Sequence, residues 1–206
     1  MMKLAMKQIV IVGLLLVVGM VGVSGSTHAA ANPATPAAGT SFEKRLAQRK
    51  SEQKITLEDK DKARIEQRCE SAQSKVRSLY QATSTALNSR NEAYYRADAK
   101  LWVVIGRLKL ANRDTFQLEK QRASFAKQIA DFQITTNNFT QVLDDIQVVN
   151  CKADPAGFKA LVETARIYRG QIVDKSNAIR DFAVNDIKQT LSTHATELQP
   201  KTEGTE

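Results

Sequence analysis

From Ile65 onward, apolar or small residues return at alternating intervals of four and three: Ile65, Cys69, Ala72, Val76, Leu79, Thr83, Ala86. The series runs on through Arg90, Ala93 and Ala97, then slips by one position into Leu101, Val104 and Leu108. A repeat near 3.5 sustained over so many turns predicts a helix with a coiled-coil seam. The many alanines on that seam suggest closely approaching helices. The same period returns in Leu118, Phe125, Ile129, Phe132, Phe139, Leu143 and Ile146, with Arg122 and Thr136 at intervening seam positions. It returns again in Phe158, Leu161, Ala165, Tyr168, Ile172, Ile179 and Phe182, then Ile187 and Leu191. No alternating strand pattern occurs.

The punctuation agrees with three long helices, at about 56–110, 115–150 and 155–198. Thr56 is the expected N-cap of the first, with Asp59 three residues on. "ANRDTFQ", Ala111 to Gln117, breaks the pattern, and Asp114 with Gln117 reads as a capping box. "NCKADPAGF", Asn150 to Phe158, breaks it again. There Asp154 caps and Pro155 takes the first helical position, where its missing N–H costs nothing. Short connections favour antiparallel neighbours. The expected fold is all-α: an elongated antiparallel three-helix coiled-coil bundle over 56–199, with arms roughly 50 to 80 Å long.

Ahead of the helices the composition changes. Lys3 and Lys7 precede Ile9 to Val23, an apolar run of 15 residues, and small residues ending Ala29-Ala30-Ala31 follow. This order predicts a signal peptide over 1–31. The run is short for a span, which needs about 20 apolar residues, and an uncleaved anchor is the alternative. Residues 32–55 read as a flexible spacer, in which Ser41 to Lys54 forms a short, charged, loosely held helix. Residues 200–206 read as a disordered tail. The localisation that follows is extracytoplasmic: cell surface, periplasm-like space or secreted medium.

The two cysteines fall on either side of the first break. Counted from a turn between residues 109 and 115, Cys69 lies about 60 Å down the first arm and Cys151 about 54 Å down the second. An even cysteine count in an exported chain favours pairing, so a Cys69–Cys151 disulfide is expected. It would close a loop of about 80 residues, which the chain-entropy relation values at about 4 to 5 kcal/mol.

Charge adds a second landmark. The chain holds 30 Lys and Arg against 22 Asp and Glu. Without the two lysines of residues 1–31 the excess is six. Between Lys100 and Lys127 lie Lys100, Arg107, Lys109, Arg113, Lys120, Arg122 and Lys127 against Asp114 and Glu119, a net of +5. Nearly the whole excess therefore surrounds the first turn. Trp102, the sole tryptophan, sits there in "LWVVIG". The bland reading is a packed core level beneath a solvated basic tip. The sharper one is a site for phospholipid headgroups, an acidic envelope polymer or nucleic acid, although aromatic residues are sparse for base stacking.

Catalytic signatures are lacking. Without residues 1–31, His194 is the sole histidine, which supplies no triad. The adjacent pairs Asp144-Asp145 and Glu58-Asp59 point in different directions on a helix and read as solvated surface. No phosphate-binding glycine loop, metal-ligand spacing or cofactor motif is present. The expectation is a non-enzymatic helical binding or spacer protein at the cell envelope, able to form homo-oligomers, with an unidentified protein or anionic envelope component as partner. A periplasmic-type holdase chaperone is the runner-up, though it would need an apolar clamp.

"RCE" at Arg68 to Glu70 and "CKADPAGFKALVETAR" from Cys151 to Arg166, flanking a long helical hairpin, resemble small exported helical proteins of candidate-phylum, Saccharibacteria/Patescibacteria-like bacteria. The likeness spans roughly Arg64 to Ile187. It implies a disulfide-clasped coiled coil without an assigned activity, and it carries over no catalytic residue.

Overall fold

The computed structural model describes residues 41–197. The expected leader, the first part of the spacer and the tail lie outside them. The described residues are helical throughout, apart from short connections. Helix α1 is Phe42–Gln53, α2 Asp59–Leu110, α3 Phe116–Val148 and α4 Pro155–Phe182. A π-helical turn, Ala183–Ile187, joins α4 to α5, Lys188–Glu197. At 52 residues α2 is about 78 Å long. None of the described helices is long and apolar enough to cross a membrane.

Helix α3 carries the core, packing against both α2 and α4. Leu118, Phe125, Ile129, Phe132, Phe139, Leu143 and Ile146 are all buried. Against them lie Phe158, Leu161, Ala165, Tyr168, Ile172 and Ile179 of α4. Along α2, Cys69 meets Cys151, Gln73 meets Ile146 and Val149, Tyr94 meets Phe132, and Asp98 meets Arg122. The π turn adds one residue to the interval between Ile179 and Ile187, which keeps Ile187 buried. Its Asp186 carbonyl accepts from Gln121 Nε2 at 3.2 Å.

The α2 register differs from the heptad expectation. After Val76 the inward positions are Tyr80, Thr83, Leu87, Tyr94, Asp98, Leu101, Ile105 and Leu108. Leu79 is 48% exposed, and Ala86, Ala93 and Ala97 face outward. From Ile65 through Val76 and Leu87 to Asp98 the interval is eleven residues, the period of an unsupercoiled or slightly right-handed helix. An α-helix turns every 3.6 residues, so a heptad read over this length drifts off the buried face. Of the seam alanines, Ala72 packs against the core, while Ala86, Ala93 and Ala97 line no helix contact.

Helix α1 is the second departure. It is docked on α4 and tied to α3 by a side-chain pair, not loosely held. Its sequence, FEKRLAQRKSEQ, is mostly charged and polar, and only Phe42 and Leu46, four apart and packed against the core, announced the docking. Arg45 forms a two-pronged pair with Asp145 of α3, Nε to Oδ2 at 3.0 Å and Nη2 to Oδ1 at 2.6 Å. Arg49, 1% exposed, lies over the Tyr168 ring and donates to its hydroxyl at 3.1 Å. Burial pushes the Tyr168 phenol up, opposed by the charge of Arg49. Asp145 is thus buried, correcting its reading as solvated surface. Its neighbour Asp144 is exposed as expected, and its carboxyl is held up by partial burial and by the Asp145 charge.

Two caps also differ. Helix α2 starts after Glu58 rather than Thr56, with no side-chain cap. Asp114 accepts from the Phe116 N–H at 2.9 Å, and Thr115 stands at the cap position of α3. Asp154 caps α4 as expected, accepting from the Gly157 N–H at 2.9 Å. Gly157 is needed there, because a Cβ would collide with the Asp154 carboxylate.

Candidate functional site: a clasp and a basic turn

The clasp gathers three interactions. The Cα atoms of Cys69 and Cys151 stand 5.7 Å apart, and the two sulfurs are at disulfide distance. Both cysteines are buried. The last turn of α3 has no basic residue to satisfy its free carbonyls. Gln73 of α2 serves instead, its Nε2 donating to Ile146 O at 2.9 Å and Val149 O at 2.8 Å. Lys152 reaches Glu70 at 2.6 Å, and that hydrogen bond holds the Glu70 carboxyl below its usual range. A covalent bond, a side-chain cap and an ion pair therefore converge on one level.

The α2–α3 turn is built to be rigid. Asn112 adopts a left-handed conformation, φ 51°. The Arg113 N–H bonds Leu108 O at 3.0 Å, and the Asn112 N–H bonds Lys109 O at 2.9 Å. This is a Schellman end, closing α2 with a non-glycine residue in the left-handed position. Asp114 then opens α3. Both acids of the turn are engaged within it. Asp114 accepts from the Phe116 N–H, and Glu119 bonds the Thr115 hydroxyl and pairs with Lys109 at 2.9 Å, interactions that hold its carboxyl low.

The seven cations singled out from the sequence do not form one set. Arg122 is half-buried, bonded to Asp98 at 2.8 Å and stacked 4.7 Å over the Trp102 ring. Lys109 is taken by Glu119. Lys100, Arg107, Arg113, Lys120 and Lys127 are exposed and enter none of the ion pairs among the described residues. Trp102 is 56% exposed, turned outward with Val103, while Leu101 and Ile105 fill the core. The "LWVVIG" segment is apolar on extra faces because part of it meets solvent.

Two residues of the turn were not among those positions. Leu110, 87% exposed, ends α2, and Phe116, 74% exposed, begins α3. The signal available in the sequence was that neither fits a seam: Leu108 and Leu118 already hold the core positions beside them. Comparison of the chain with protein-family models, with curated proteins and with solved structures gave no match.

Proposed function

We propose that this chain is a non-enzymatic helical spacer of the cell envelope, exported by its N-terminal segment, which presents the α2–α3 turn to an anionic partner. In this reading α2, α3 and α4 form an elongated antiparallel rod with the clasp toward one end and the basic turn at the other. The observation that carries it is the group of exposed, unpaired cations around a turn whose own acids are already engaged. By residue count along α2, the turn stands about 60 Å from Cys69. A braced rod with charge displayed at its far end suits contact at a distance better than it suits chemistry. The likeness to exported, disulfide-clasped helical proteins of candidate-phylum bacteria is compatible with this role.

The test is a substitution set limited to unpaired cations: Arg107→Gln, Arg113→Gln and Lys120→Gln together. Binding of the full chain to purified anionic envelope polymer is measured across a salt series. The parent should bind with steep salt dependence and the triple variant should lose most of that slope. Identical binding by the two proteins would remove the turn from consideration.

A further inference from the structure

The turn does more than display charge. We propose that it is a membrane-docking tip, in which Leu110 and Phe116 insert into the interfacial region of an anionic bilayer while Arg107, Arg113 and Lys120 contact headgroup phosphates. This rests on the reading of the turn as an anion-binding end and names its ligand. Single exposed apolar residues are ordinary on a protein surface. Here the two most exposed large hydrophobics among the described residues both bracket one turn of five residues, Ala111 to Thr115. Both lie within the stretch Lys100 to Lys127, whose net charge is +5. The Schellman end at Asn112 and the Phe116 N–H bond to Asp114 fix the two helix ends, so the side chains are displayed on a preformed frame.

The composition of the tip selects the partner. A soluble polyanion would satisfy the cations but leaves Leu110 in water. A protein partner would need a surface of standard interface size, about 800 Å² on each side, and a convex turn with two apolar side chains offers little of that. A bilayer needs no shape complementarity. It provides phosphates at one depth and hydrocarbon a few ångströms below, the order in which peripheral anchors use basic and apolar residues.

The full chain also carries the apolar run Ile9 to Val23, so bulk binding to vesicles is uninformative. The readout must come from the turn itself. Trp102 is the only tryptophan, so Trp102→Phe combined with Phe116→Trp leaves a single fluorophore at the apex; Leu110→Trp in the same background is the second reporter. Each is mixed with phosphatidylglycerol vesicles, with phosphatidylcholine vesicles, and with a soluble heparin-type polyanion. Expected are a blue shift and quenching by brominated acyl chains with phosphatidylglycerol only. Leu110→Ser, added to the Phe116→Trp reporter, should lower insertion about tenfold. Arg107→Gln and Arg113→Gln should each lower it about fivefold. Equal insertion into phosphatidylcholine, or no quenching from either reporter, overturns the proposal. A salt-sensitive response to the polyanion without lipid quenching overturns it too, yet leaves the turn as an anion site. No response to any anion removes both readings.

Discussion

Asp145 and Arg45 illustrate how one residue pair can decide an element's fate. Asp145 is 2% exposed, and it receives two hydrogen bonds from a guanidinium one hundred positions away. Such fork-to-carboxylate pairing has geometric specificity that a lysine would not supply. Removing one partner of a buried pair strands the other, which is costly. Asp145→Asn should therefore destabilise the fold by about 3 kcal/mol, the low end for such a change, because Arg45 keeps some access to water. The loss should be local first: amide exchange across Phe42–Gln53 should accelerate while the α3 core stays protected. Uniform acceleration across all helices would show that α1 is not a separable unit. Nothing in the local sequence marks Asp145 apart from Asp144. Adjacent residues of a helix face different ways, and only the neighbour's position tells which of them finds an arginine.

At the scale of the element, α2 shows how a helical pattern can be recognised and still be misphased. Its existence, its end near Leu110 and its first inward residues follow from the spacing of apolar positions. Its later register does not, because small residues occupy both the buried and the solvent-facing stripes. Large residues settle the matter: Tyr80, Leu87 and Tyr94 turn inward, and Tyr94 meets Phe132 edge-on with ring centres 5.3 Å apart. The two registers are separable by experiment. Leu87→Ala should cost about 2 to 4 kcal/mol, as buried leucine truncations do, whereas Leu79→Ala should change stability by no more than about 0.5 kcal/mol. Comparable losses from both in chemical denaturation would restore the heptad register. The seam positions named for α3 and α4 up to Ile179 were legible because most are bulky Phe, Ile and Leu, although Val142 and Asp145 are also buried and Ile134 is not.

Over the whole molecule, the stabilising interactions and the displayed groups are segregated. Near the clasp, the paired cysteines, the Gln73 cap, the Lys152–Glu70 pair and the docked α1 tie every described helix but α5 together. The turn between α2 and α3 carries the exposed cations and the exposed Leu110 and Phe116. With the cysteines 82 positions apart, opening the pair frees a long loop in the unfolded chain, worth about 4 to 5 kcal/mol in the loop-entropy account. Reducing agent should lower the melting temperature markedly while the far-UV helical signal at room temperature persists. An unchanged melting temperature, or two free thiols by mass in the purified protein, would contradict a formed bond.

The sequence by itself determined that the described chain is helical, where the breaks after α2 and α3 fall, which faces of α3 and α4 are inward and where positive charge accumulates. Those properties rest on local causes: propensity, capping, spacing and composition act over a few residues. The pairing of Cys69 with Cys151 was also accessible, since rise per residue converts counting into height. The tertiary structure decided the rest. It alone recruited α1 through the buried Arg49 and the Arg45–Asp145 pair, withdrew Arg122 and Lys109 from the exposed set, and left Leu110 and Phe116 without cover. These outcomes depend on how separate helices come together, and no local pattern records which group of another helix a charge will meet or which apolar side chain will find none.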